Sequence, residues 1–89
     1  MKIAITSNGN SLDSLIDTRF GRAKGFIILD DETDEFVFQD NIQNLQSTQG
    51  AGIQSAKFIS DAGADVLITG HVGPKAFSAL TQAGVKIYT

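Results

Sequence analysis

Gly70-His71-Val72-Gly73-Pro74 holds the only histidine of an 89-residue chain. An apolar run, Asp65-Val66-Leu67-Ile68-Thr69, precedes it, and an amphipathic run from Lys75 to Ala83 follows. The pattern predicts a buried strand that turns through two glycines and starts a helix at proline. Proline suits the first helical position because its missing N–H would have no partner there. The N–H groups that open such a helix carry partial positive charge and can hold an anion. The same spacing fits a tight turn with His71 simply on its surface. A second stretch, Arg19-Phe20-Gly21-Arg22-Ala23, sets two arginines three apart around an aromatic and a glycine, with Lys24 next. Either these cations rim a pocket, or Phe20 plugs the core and both arginines are solvated. A third stretch, Gly50-Ala51-Gly52, leads into a helix. Its glycines would admit a phosphate or only allow close packing. Neither glycine pair matches a dinucleotide fingerprint or a Walker loop.

Other chemistries find little support. The chain has no cysteine, which excludes disulfides and thiolate ligands. Ser7 or Thr69 with His71 is the conceivable nucleophile–base pair, but there is no nucleophile elbow and no third group to orient the imidazole. Paired carboxylates would have to come from Asp13, Asp17 and Asp40, which sit in polar stretches and read as solvated acids. No zinc or EF-hand spacing occurs. No catalytic residue is assigned, and the chain is not expected to be an enzyme. His71 is the sole side chain suited to ligate a transition metal.

The net charge is −3, so neither nucleic acid nor an anionic membrane is an expected partner. Three of the seven basic residues lie between Arg19 and Lys24, while five acids crowd Asp30 to Glu35. A local positive patch on an acidic protein suits a small anionic ligand. With 42% apolar and 19% charged residues, the composition is that of an ordinary globular domain spanning 1–89. No leader and no bilayer-length apolar run is present, which leads to the expectation of a cytoplasmic protein.

The elements that would position these groups follow from periodicity. Lys2 to Thr6 reads as a central strand with both faces buried. Residues 7–25 have no sustained period and form a long connection. Phe26 to Leu29 is a second strand. After the acidic turn, Phe36-Val37-Phe38 alternates with polar neighbours as an edge strand in a hairpin with it. A polar loop follows Asp40. A helix then places Ile53, Ala56 and Ile59 on one side, with Phe58 and Ala62 adjoining, and stops at Gly63. Ala64 to Thr69 is the fourth strand. The helix after Pro74 turns Ala76, Phe77, Leu80 and Ala83 inward, and Val85 to Tyr88 is the fifth strand. Short right-handed connections then give a mixed sheet of order 3-2-1-4-5 with strand two antiparallel.

That topology brings the loop 8–24, the loop 41–50 and the turn 70–74 to one edge, where the parallel strands end and both helices begin. Ligands of open α/β sheets bind at such an edge. The predicted site gathers Arg19, Phe20, Gly21, Arg22 and Lys24 with Gly50, Gly52, Gly70, His71 and Gly73.

Ser14 and Asp17 ahead of Arg19-Phe20-Gly21-Arg22-Ala23, then Phe26, Asn44, Gly50-Ala51-Gly52 and Gly70-His71-Val72-Gly73-Pro74 with Ala76 and Leu80, occur in that order. The ordered set resembles the dinitrogenase iron–molybdenum cofactor biosynthesis domain over nearly the whole chain. The resemblance implies a ribonuclease H-like three-layer α/β fold and carriage, without catalysis, of an anionic metal–sulfur cluster or its precursor. Some related stand-alone proteins resemble a carrier of a molybdenum–copper sulfide cluster. The cargo would be an iron–molybdenum or other metal–sulfur cluster, absent from protein purified in air, exchanged with donor and acceptor proteins. Members of this kind usually continue past the fifth strand with a further helix, whereas this sequence stops at Thr89. A sheet face is therefore expected to lie open or to be covered by another subunit, so a homo-oligomer is an expected partner state. Without cysteine, a cluster would be held by His71, by charge and backbone N–H groups, or as a preassembled anion. The competing readings are an interaction module with no cofactor, acting through a sheet edge or that open face, and a nuclease, which rests on fold analogy alone.

Overall fold

The computed structural model describes residues 1–41 and 51–89, with only the backbone given for residue 51. Five strands form one sheet: β1 Lys2–Ser7, β2 Gly25–Asp30, β3 Glu35–Asp40, β4 Val66–Ile68 and β5 Lys86–Tyr88. The order is β3-β2-β1-β4-β5. β2 runs antiparallel to β1 and β3, whereas β4 is parallel to β1 and β5. This is the predicted topology. The helices are α1, Ala51–Asp61, and α2, Pro74–Gln82, and a 3₁₀ turn covers Phe20–Arg22.

Alternation along paired strands sorts the sheet into two faces. Ala4 pairs with Ile28 and Leu67, Thr6 with Phe26, and Leu67 with Ile87. These side chains share one face, and onto it pack Ala56 and Ile59 of α1 and Ala76 and Leu80 of α2, forming the core with Phe20 and Val85. Phe26 extends the core by stacking on Phe58 at 5.7 Å between ring centroids. Among the described residues, both helices therefore lie on one side, and two of the three expected layers are present. The expectation that β1 is buried on both faces is corrected accordingly. Ala4 and Thr6 are fully buried, but Ile3 and Ile5 on the reverse face are only half-buried.

Three inward assignments also change, and one of them is Ala83, which is exposed at the carboxyl end of α2. Ile53, in the first turn of α1, is 45% exposed. Phe77 is 49% exposed and lies beside Ile87 of the edge strand rather than under the helix. The helices end as read: Gly63 and Gly84 take left-handed φ values of 78° and 83°, which other residues rarely adopt. No helix among the described residues is long and apolar enough to cross a membrane.

The start of β1 is tied down electrostatically. The Met1 ammonium donates to the Asp31 carboxylate at 3.0 Å, and this hydrogen bond holds the amine above its ordinary value of 8.0. A pKa raised in the folded state contributes stability that is present below the unfolded value and is lost as pH rises through the folded one. The contact is fully exposed, so the effect is small. The urea midpoint should decline slightly above pH 8.0, and the decline should vanish in Asp31→Asn.

Candidate cationic site at the carboxyl edge of the sheet

The connection after β1 does not wander over the surface as its irregular sequence suggests. It returns to the sheet and continues it beyond the short β4. Ile16 bridges Ser7 in antiparallel fashion, and Arg19 bridges His71 in parallel. The Asp17 N–H donates to the Thr6 carbonyl at 3.0 Å. The His71 N–H donates to the Thr18 carbonyl at 2.7 Å, and the Phe20 N–H donates to the His71 carbonyl at 3.1 Å. The backbones of the arginine stretch and the histidine turn are therefore zipped together on one edge.

Gly70 makes this possible. A Cβ there would lie 2.4 Å from the Thr18 carbonyl oxygen and 2.5 Å from Thr18 Cα. Buried hydroxyls fix the junction from below: Thr6 donates to the Asp17 carbonyl at 2.7 Å and shares a 2.9 Å hydrogen bond with Thr69.

Phe20 is only 2% exposed and meets Phe26 at 5.9 Å between centroids. It is an anchor that drives the 3₁₀ turn into the core, so its ring does not face a ligand. That corrects its place among the ligand contacts; Arg19 stays exposed and Arg22 is half-buried. The turn packs against α1. Asn41 locks it from the other side, its amide donating to the carbonyls of Gly21 at 3.2 Å and Ala23 at 3.0 Å. Gly21 thus serves through its backbone oxygen.

The result is a hollow of about 300 Å³ lined by Asn8, Asp17, Arg19, Arg22 and Lys24. All three expected cations line it. Two members, Asn8 and Asp17, went unrecognised as lining groups. Asp17 is not the solvated acid its polar surroundings suggest. It is 4% exposed, and its Oδ1 accepts the Arg19 N–H at 3.0 Å and Arg19 Nε at 3.4 Å. The Asp-x-Arg spacing is the local signal, because a carboxylate can bond the backbone N–H two residues on. Arg19 is therefore held at its root while its side chain stays 69% exposed. The hollow carries three positive charges and one negative.

His71 lines a different hollow, of about 430 Å³, with Gly70, Val72, Phe77, Ile87 and Thr89. The backbone bridge to Arg19 makes the two neighbours without merging them. No group of three histidine, cysteine, aspartate or glutamate side chains suited to a metal ion occurs among the described residues.

The remaining glycines divide by role. Gly50 lies outside the described residues. Gly52 is a packing residue, since a Cβ there would meet Ala76 Cβ of α2 at 3.3 Å. Its steric role is the approach of the two helices, not of a ligand. Gly73 caps α2 with φ −66° and no side-chain cap, and a Cβ there meets nothing within 4 Å. Nothing steric demands glycine at that position. Aspartate in its place should cap the helix and raise stability by a few tenths of a kcal/mol, while opposing any anion at the helix start. A higher urea midpoint for Gly73→Asp, with weaker anion uptake, is the expected pair of results.

With the fold and this geometry in hand, comparisons place the chain among known proteins. Residues 1–89 match the family model described as dinitrogenase iron-molybdenum cofactor. An uncharacterised protein of Methanocaldococcus jannaschii is 33% identical over 90 residues, covering 99% of this chain and 73% of that protein. The apo orange protein of Desulfovibrio gigas superposes with a TM-score of 0.93 at 48% identity, over 97% of this chain and 72% of its own. A Thermotoga protein of the DUF35 family, described as a NifB candidate, superposes with a TM-score of 0.81 at 35% identity, again over 97% and 72%.

Proposed function

The chain belongs to the dinitrogenase iron-molybdenum cofactor family, and on that premise we propose that it carries a preassembled anionic metal–sulfur cluster during cofactor assembly, without catalysing a reaction. The observation that carries this reading is the hollow in which Arg19, Arg22 and Lys24 face one volume around a buried carboxylate. The donor set suits a guest that arrives already assembled. With no cysteine in the chain, attraction must come from charge and hydrogen-bond donors. Guanidinium groups bind oxyanions and thioanions strongly when their geometry is fixed, and Asp17 fixes the root of Arg19. His71 supplies an imidazole on the same edge, one bridged position from Arg19. Its role is a second contact to the guest rather than the centre of the site.

Exposed apolar side chains stand next to this hollow in sequence. Leu12, Leu15 and Ile16 precede the arginine stretch, and Leu15 is 77% exposed. They give a donor or acceptor protein a surface to grip near the cargo.

Apo protein titrated anaerobically with tetrathiomolybdate should develop a shifted absorbance band. Arg19→Ala and Arg22→Ala should each weaken binding by about tenfold, roughly 1.4 kcal/mol for a charge-assisted contact. Added salt should weaken it further. His71→Ala should alter the spectrum more than the affinity. No band, or arginine variants that bind like the parent, would refute the carrier reading.

A further inference from the structure

Asn41 directly follows β3 and is only 3% exposed, yet it lies outside the hydrophobic core. A polar side chain buried this deeply is costly unless its hydrogen-bonding groups are used. Most of those of Asn41 act on one neighbouring stretch. Its Nδ2 donates to the Gly21 carbonyl at 3.2 Å and to the Ala23 carbonyl at 3.0 Å. Its backbone N–H donates to the Lys24 carbonyl at 2.9 Å. Its Oδ1 accepts the hydroxyl of Ser55, itself fully buried in α1, at 3.5 Å. The Gly21 carbonyl belongs to the peptide that leads into Arg22. The Ala23 and Lys24 carbonyls belong to the peptides on either side of Lys24. One neutral residue thus fixes the backbone next to two of the three cations that line the hollow, without lining it.

We propose that Asn41 is a positioning residue of the anion site: it meets no guest, but its amide sets the backbone from which Arg22 and Lys24 reach one. The proposal rests on the carrier reading for the identity of the guest. The residue type suits the task. The last carbonyls of a 3₁₀ turn lack partners inside the turn, and a carboxamide is a neutral group with two donors on one nitrogen. Aspartate would turn a carboxylate toward both carbonyls, and alanine would leave them without these donors. The hollow then stands on two supports. Asp17 holds Arg19 at its root, and Asn41 holds the segment bearing the other two cations. Cations held in place need less ordering when an anion binds. Replacing Asn41 by a neutral residue leaves every charge in the hollow, so a loss of binding reports position rather than charge.

The test is a thermodynamic cycle read by anaerobic titration with tetrathiomolybdate. Asn41→Ala, checked for folding by circular dichroism, should bind at least about tenfold more weakly than the parent. In an Arg22→Ala background the same change should cost no more than about threefold, because one of the groups it positions is gone. Asn41→Ser keeps one donor and should recover part of the loss, and it carries the same cycle if Asn41→Ala does not fold. In guest-free protein, heteronuclear amide NOE values at Arg22 and Lys24 should fall in either variant. Where the parent binds, variants that match it, or a loss of equal size in both backgrounds, overturn the proposal. A parent that takes up no thiomolybdate sinks the carrier reading instead, and the NOE values then decide the positioning role: unchanged values overturn it and lower ones uphold it.

Discussion

Gly70→Ala should cost about 3–5 kcal/mol of stability. The new Cβ would lie 2.4 Å from the Thr18 carbonyl oxygen, 2.5 Å from Thr18 Cα and 2.8 Å from its carbonyl carbon. These are backbone atoms, so no side chain can swing aside. The segment 18–20 must retreat, and with it go the bonds of the His71 N–H to Thr18 and the Phe20 N–H to His71. Overpacking costs about 1–3 kcal/mol, and each lost hydrogen bond adds about 1. For a domain of this size the melting temperature should fall by more than about 12 °C. Retreat of the segment also separates Arg19 from the histidine turn, so anion binding should fail even where the variant remains folded. Thermal unfolding by circular dichroism measures the first effect, and a thiomolybdate titration in the cold measures the second. A melting temperature within a few degrees of the parent would show that residues 18–20 do not rest on Gly70 as described.

The contrast with Gly73 shows what the sequence could and could not convey. Both glycines sit in the same five-residue turn, and a string of letters gives them equal weight. Only the placement of Thr18 makes one indispensable and the other replaceable. The sheet order was legible because hairpin and crossover rules act on periodic segments, and β1 to β5 each carry either an apolar run or an alternating one. The gathering of cations on one edge was legible too, since it follows from where parallel strands end. What the pattern could not supply was the pairing of residues 15–19, a segment with no period whose partners lie at Ser7 and His71. Without that pairing Asp17 reads as a surface acid, and the choice between Phe20 as pocket lining and Phe20 as anchor stays open. The sheet's reverse face was likewise misjudged for β1. An unbroken apolar run signals a central strand, but it does not say that both sides are covered by the same chain.

Charge inside the hollow sets the direction of the second large effect. Arg19→Glu removes one positive charge and places a second carboxylate beside the buried Asp17. At separations of about 6–8 Å and an effective dielectric near 40, each unit of charge is worth roughly 1 kcal/mol toward a singly charged anion and about twice that toward a dianion. Two units change in this variant, so the affinity for a dianion should fall at least 100-fold at low salt. Asp17→Asn acts in the opposite sense. The amide oxygen can still accept the Arg19 N–H, so the turn at 17–19 keeps its shape, while the hollow gains one unit of positive charge. Its affinity for a dianionic thioanion should rise about 30-fold at low salt, and the gain should shrink as added salt shortens the range of the field. Paired titrations at low and high ionic strength separate the two roles of this carboxylate. If Asp17→Asn binds more weakly than the parent under both conditions, then the hold of Asp17 on the arginine outweighs its charge, and the hollow works through a fixed guanidinium rather than through net positive potential.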